Sequence, residues 1–256
     1  NVSTRKHHTQ RYKLSPTLSM SIGPVQTQFF HINETFYLDS GESFDAITLA
    51  YETYGQLNHD ASNAILVFHA LTGSQHAAGI NPSVPAADPF WKEECVLGWW
   101  DSFIGPGKAF DTDRYFVICA NYLGGCYGST GPHSTNPQTG KPYGSQFPQV
   151  SAWDVVRSQL LLLDSLGVDC LHASVGSSLG GMLSMLLATR RPHRVKKVVP
   201  IATGLKTTVL HRVHNFEQIL AIRNDPHFQG GDYYDGPAPQ EGLLLARIIS
   251  HKTFVS

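Results

Sequence analysis

The stretch CLHASVGSSLGGMLSMLLATR, residues 170–190, limits the fold more than any other part of the chain. An apolar run of strand length enters a group of Gly and Ser residues, and a second apolar run leaves it with helical spacing. Between them, Gly176-Ser177-Ser178-Leu179-Gly180 reads G-x-S-x-G. A strand that turns straight into a helix at such a pentapeptide lifts one serine hydroxyl above the sheet. The turn strains the serine's backbone, and larger side chains at Gly176 and Gly180 would clash within it. The middle position makes Ser178, not Ser177, the candidate nucleophile. The N–H of Leu179, at the helix N-terminus, is the expected first donor of an oxyanion hole.

Other runs carry the same strand signature: ITLAYETYG (47–55), NAILVFHAL (63–71), YFVICAN (115–121) and VKKVVPIA (195–202). Runs that are apolar throughout read as strands buried on both faces, as in a parallel sheet. Ala152, Val155, Val156, Leu160, Leu163 and Leu166 follow helical spacing, with Gly167 as the stop. Met182, Met185, Leu186 and Thr189 share one face of the helix after the turn. Strands alternating with helices give an α/β fold with a mostly parallel sheet flanked by helices. FHALTG (68–73) follows a strand and is placed to supply the second oxyanion-hole donor, for which Leu71 is the choice. His69 precedes the serine and reads as a packed or hydrogen-bonded histidine at a strand end rather than a catalytic base.

Composition narrows the function. With a net charge of −1, nothing in the chain calls for nucleic acid or an anionic membrane as partner. The longest apolar run falls far short of the ~20 residues of a membrane span. Cys95, Cys119, Cys126 and Cys170 show no C-x-x-C spacing and read as reduced thiols of a cytoplasmic protein. No histidine spacing points to a metal. Residues 1–21 lack acidic residues and read as a disordered leader; an organellar transit peptide is the less favoured reading, and Met20 offers an alternative start. Residues 22–203 form the expected core. Within it, 123–149 is a Gly-, Pro- and Ser-rich loop of functional length. Residues 204–256 turn wholly helical, as TTVLHRVHNFEQILAI and APQEGLLLARIISHK joined by RNDPHFQGGDYYDGP.

LAYETYGQLNHDASNAILVFHALTGSQHAAG, GWWDSFIGPGKAFDTDRYFVICANYLGGCYGSTGPHSTNPQTGKPYGSQFP, VGSSLGGM and DPHFQGGDYYDGPAPQEGLLLARIISHKTFVS resemble the homoserine O-acetyltransferase family of the α/β-hydrolase superfamily. The long central loop carries most of that likeness. The resemblance implies acetyl transfer from acetyl-CoA to the hydroxyl of L-homoserine, in methionine biosynthesis, through an acyl-Ser178 intermediate. It implies acetyl-CoA as substrate with no bound cofactor, Leu71 and Leu179 as oxyanion-hole donors, a helical lid after Thr203, and a homodimer. The same scaffold leaves open serine as acceptor, a succinyl donor, an ester hydrolase, or an inactive remnant.

The chain departs from the family in three places. The family's catalytic aspartate and histidine follow late strands beyond the lid; Asp225, Asp232, Asp235, His227 and His251 match lid positions and read as structural or surface residues. The C-terminal part of the fold is therefore expected to be missing. Ile219 stands where the family carries an arginine for the amino-acid carboxylate, with Arg212 and Arg223 on either side as candidate substitutes. The turn reads Gly-Ser-Ser where the family usually has Gly-Gly-Ser.

Overall fold

The computed structural model describes residues 21–252. The expected leader therefore lies outside the described residues except for its last position, and so do Met20 and residues 253–256. The strands are β1 (Gln28–Ile32), β2 (Phe36–Tyr37), β3 (Ser43–Phe44), β4 (Ile47–Tyr54), β5 (Ala64–Phe68), β6 (Phe116–Ala120), β7 (Ala173–Ser177) and β8 (Val198–Ile201). The helices are α1 (Ala152–Ser165), α2 (Leu179–Arg190), α3 (Val209–Arg223) and α4 (Gln240–His251). Six strands form one sheet in the order β1-β4-β6-β5-β7-β8, and β2 pairs with β3 apart from it. The pairs β6–β5, β5–β7 and β7–β8 are parallel, whereas β4 runs antiparallel to both β1 and β6.

The central strand shows why its sequence is apolar throughout. Every residue of β5 is buried. Ala64, Leu66 and Phe68 join a core with Val156 and Leu163 of α1 and Leu183 and Leu187 of α2. Ile65 and Val67 face the other way, into a core with Ala77, Ala78, Ile104 and, at its margin, Trp99 and Trp100. The period of two along a strand sends alternate residues to opposite faces, so both faces need apolar side chains. Helices cover the first face. Among the described residues, irregular chain between β5 and β6 covers the second, with Trp100 stacked on Phe110 at 5.7 Å.

Two expectations change. β8 is not buried on both faces: Val198 packs on the core that α2 shares, but Val199 and Ile201, on the opposite face, are 45% and 39% exposed and join no core among the described residues. The face shared by Met182, Met185, Leu186 and Thr189 is also not the most deeply buried side of α2: Gly180, Gly181, Leu183, Ser184 and Leu187 are buried, Leu186 packs at the margin of the same core, and Met182 is 38% exposed. Both sets have helical spacing. The choice falls to the set containing Gly180, because only a residue without a side chain fits where α2 touches the sheet.

Ser151 caps α1: its hydroxyl accepts from Asp154 N–H at 3.1 Å, and the Asp154 carboxylate accepts from Ser151 N–H at 2.8 Å. This pins the start of α1 beside the C-terminal ends of β5 and β7, where the candidate site lies. α3 and α4 pack on each other, but α3 buries none of its residues. Among the described residues, no helix is long and apolar enough to cross a membrane.

Candidate active site

The chain turns from β7 into α2 at Ser178, with φ 52° and ψ −117°. A positive φ on a non-glycine residue is costly and persists only where its surroundings enforce it. Here the surroundings are explicit. Ser178 N–H donates to Ile201 O at 3.0 Å, holding the turn to the end of β8. A Cβ on Gly176 would lie 2.2 Å from the Gly180 backbone, and one on Gly180 would lie 2.1 Å from Phe68 O. The turn is folded tightly on itself and pressed against the end of β5. That contact brings Ser178 beside the loop that leaves β5.

The loop is a tight turn. Gly73 N–H donates to Ala70 O at 2.9 Å. Leu71, at its tip, is 74% exposed, and its N–H has no partner among the described residues. Leu179 N–H is likewise free of a partner in the first turn of α2. Both residues line one cavity of about 600 Å³. Its remaining wall comes from residues 121–127, from Phe147 and Pro148, and from the first residues of α1. The long Gly- and Pro-rich loop thus supplies two sides of the cavity. Ser178 is exposed and its Oγ has no hydrogen-bond partner among the described residues.

His69 also lines the cavity, but its hydrogen bond goes to the loop and not to Ser178. The histidine is buried, stacks on Tyr122 with ring centroids 3.7 Å apart, and its Nδ1 lies 2.6 Å from Ala70 O. Burial lowers its pKa to about 4, so the ring is neutral at ordinary pH. Burial also pushes the Tyr122 hydroxyl up, and that hydroxyl donates to His69 O. Asn121 and Tyr122 also line the cavity, although no motif in the sequence singles them out. They end an apolar strand, and nothing in YFVICANY marks where the chain bends to form a wall.

The loop's far end is anchored by a buried polar group. Glu52 accepts from His76 Nδ1 at 2.8 Å, Tyr54 Oη at 2.8 Å, Thr27 Oγ1 at 2.7 Å and Asn81 Nδ2 at 3.0 Å. Burial alone would raise the Glu52 carboxyl, but His76 and these hydrogen bonds hold it below the usual carboxylate range.

The other candidates lie away from the cavity. Arg212 and Arg223 sit on the exposed surface of α3, which packs chiefly against α4, and neither lines the cavity. Asp225 accepts from Gly242 N–H and His227 N–H, both at 2.8 Å, and so joins the end of α3 to α4. Asp232 accepts from Ser145 N–H and Oγ, both at 2.7 Å, and ties the α3–α4 connection to the long loop.

A family model described as the alpha/beta hydrolase fold matches residues 63–254. The homoserine O-acetyltransferase of Deferribacter desulfuricans is 45% identical over 236 residues, which are 92% of this chain and 60% of that protein. The chain therefore spans about 60% of that relative's length. Among solved structures, homoserine O-acetyltransferase from Bacillus anthracis superposes with TM-score 0.79 at 36% identity, covering 89% of this chain and 60% of that one. Esterase E22 superposes equally well, with TM-score 0.79 at 33% identity, covering 90% of this chain and 61% of that one.

Proposed function

The chain belongs to the alpha/beta hydrolase fold family, and from that premise we propose that it is the serine-bearing part of an O-acyltransferase that moves an acetyl group from acetyl-CoA to L-homoserine. The observation that carries this reading is the strained Ser178 turn, with the partner-free N–H groups of Leu71 and Leu179 at one cavity. Ser178 Oγ attacks the thioester carbonyl, its proton passing to a base. The carbonyl oxygen becomes an oxyanion held by the two N–H groups. The C–S bond breaks and CoA leaves as the thiol with that proton. The homoserine hydroxyl then attacks the acyl-serine, losing its proton to the same base, and Ser178 is regenerated as O-acetylhomoserine departs. This would place the reaction in methionine biosynthesis.

No group among the described residues reaches Ser178 Oγ, so we place the base and its orienting carboxylate in the part of the relatives' length that this chain does not span. The acceptor's carboxylate needs a cation. Ile219 cannot supply one, and Arg212 and Arg223 lie away from the cavity. An arginine from outside α3, or an acceptor without a free carboxylate, would satisfy the site.

The decisive measurement is product formation by the full-length gene product with acetyl-CoA, with and without homoserine. O-acetylhomoserine is expected, with CoA release that depends on the acceptor. Fast CoA release indifferent to every amino acid would instead favour an ester hydrolase, the reading that the likeness to esterase E22 keeps open.

A further inference from the structure

The acyl-serine reading makes Leu71 N–H an oxyanion-hole donor, and the inference here rests on that reading. The N–H belongs to the Ala70–Leu71 peptide, which is trans. In a planar trans peptide the C=O and N–H point in opposite directions. Whatever fixes Ala70 O therefore aims Leu71 N–H. Two donors fix it. Gly73 N–H reaches it at 2.9 Å across the turn, and His69 Nδ1 reaches it at 2.6 Å. A carbonyl oxygen has two lone pairs, and both are used. A flip of this peptide would break both bonds.

We propose that His69 is a positioning residue: by donating from Nδ1 to Ala70 O, it locks the Ala70–Leu71 peptide plane and aims the Leu71 N–H into the cavity. The surroundings suit this task. Ala70 O only accepts, so Nδ1 must carry the proton. A neutral imidazole has one N–H, and this one is committed to the loop. Nε2 is then an acceptor; it is buried and makes no hydrogen bond of good geometry among the described residues, and the Asn121 carboxamide lies beside the ring. Stacking on Tyr122 at 3.7 Å and the Tyr122 hydroxyl on His69 O hold the ring and its own backbone in place. A Cβ on Gly73 would lie 2.8 Å from His69 Cβ, so the turn closes directly over the histidine.

The test uses the full-length gene product with 4-nitrophenyl acetate, whose burst of nitrophenolate reports Ser178 acylation. His69→Gln keeps size and polarity but moves the amide away from the δ position; His69→Asn restores a donor there. Removing an oxyanion-hole donor outright costs about 10²–10³-fold in rate, so misaiming one is expected to cost about 10- to 100-fold in the glutamine variant, at unchanged KM. His69→Asn is expected to recover most of that loss. Equal acylation rates in the two variants, whether both high or both low, overturn the proposal. If His69→Gln does not fold, His69→Phe keeps the stack on Tyr122 without the nitrogen and carries the same expectation. Ser178→Ala runs alongside: nitrophenolate release that survives it overturns the acyl-serine reading and not the role of His69.

Discussion

Ser178 and Gly180 act as one unit at the scale of single residues. The serine's φ of 52° is maintained because Gly180 lets α2 start in contact with Phe68 O. Gly180→Ala would place a Cβ 2.1 Å from that backbone oxygen, which no side-chain rotation relieves. The expected cost is about 1–3 kcal/mol of stability, read as a lower melting temperature, together with loss of acylation as the elbow is displaced from the Leu71 loop. An alanine variant that melts and acylates like the parent would contradict the close approach. Ser178→Ala, which removes only a hydroxyl that makes no hydrogen bond among the described residues, is expected to keep the fold and to lower acyl transfer by more than about 10³-fold, measured as product per time at saturating substrates.

At the scale of elements, β4 and the loop after β5 are coupled through Glu52. Its carboxylate gathers donors from Thr27, Tyr54, His76 and Asn81, so one buried group joins the segment before β1, β4 itself and the covering loop. The proton balance sets the pH dependence. Glu52 is held below the usual carboxylate range when folded, so the unfolded chain takes up its proton more readily. The stability it contributes is complete above the ordinary carboxylate pKa and is lost as pH falls through the folded value. Glu52→Gln is expected to cost about 3–5 kcal/mol near neutral pH, because it leaves His76 and the other donors facing a neutral group. The deficit should shrink in acid. Denaturant unfolding at pH 7 and pH 4 measures both, and a pH-independent deficit would refute the assignment.

For the molecule as a whole, the exposed apolar residues are unevenly spread. Val209, Leu210, Val213 and Phe216 of α3 and Leu243, Leu244 and Ile248 of α4 are all at least 46% exposed. The paired helices pack on each other and present apolar surface outward. Apolar patches of this kind mark contact surfaces. We propose that these helices carry a homodimer contact in the full-length gene product. The double variant Phe216→Asp, Leu244→Asp should then sediment as a monomer, and a dimer that survives it would exclude this surface.

Much of this was legible along the chain. The G-x-S-x-G pentapeptide, set between a strand-length apolar run and a helical one, was enough to place a strained strand-to-helix turn at Ser178. Continuous apolar runs marked β5, β6 and β7 as central strands, because a strand covered on both faces can afford no polar side. Three things needed the fold. VVPI looked buried by composition, yet one of its faces is exposed, since burial depends on what packs on a strand and not on its apolarity. Two helical faces of α2 were equally apolar, and the contact at Gly180 chose between them. The reach of an imidazole to its neighbour's carbonyl, which orients Leu71 N–H, depends on backbone angles that no residue pattern records. Sequence determined which residues have the chemistry; tertiary structure decided where their hydrogen-bonding groups point, because direction comes from packing against residues distant in the chain.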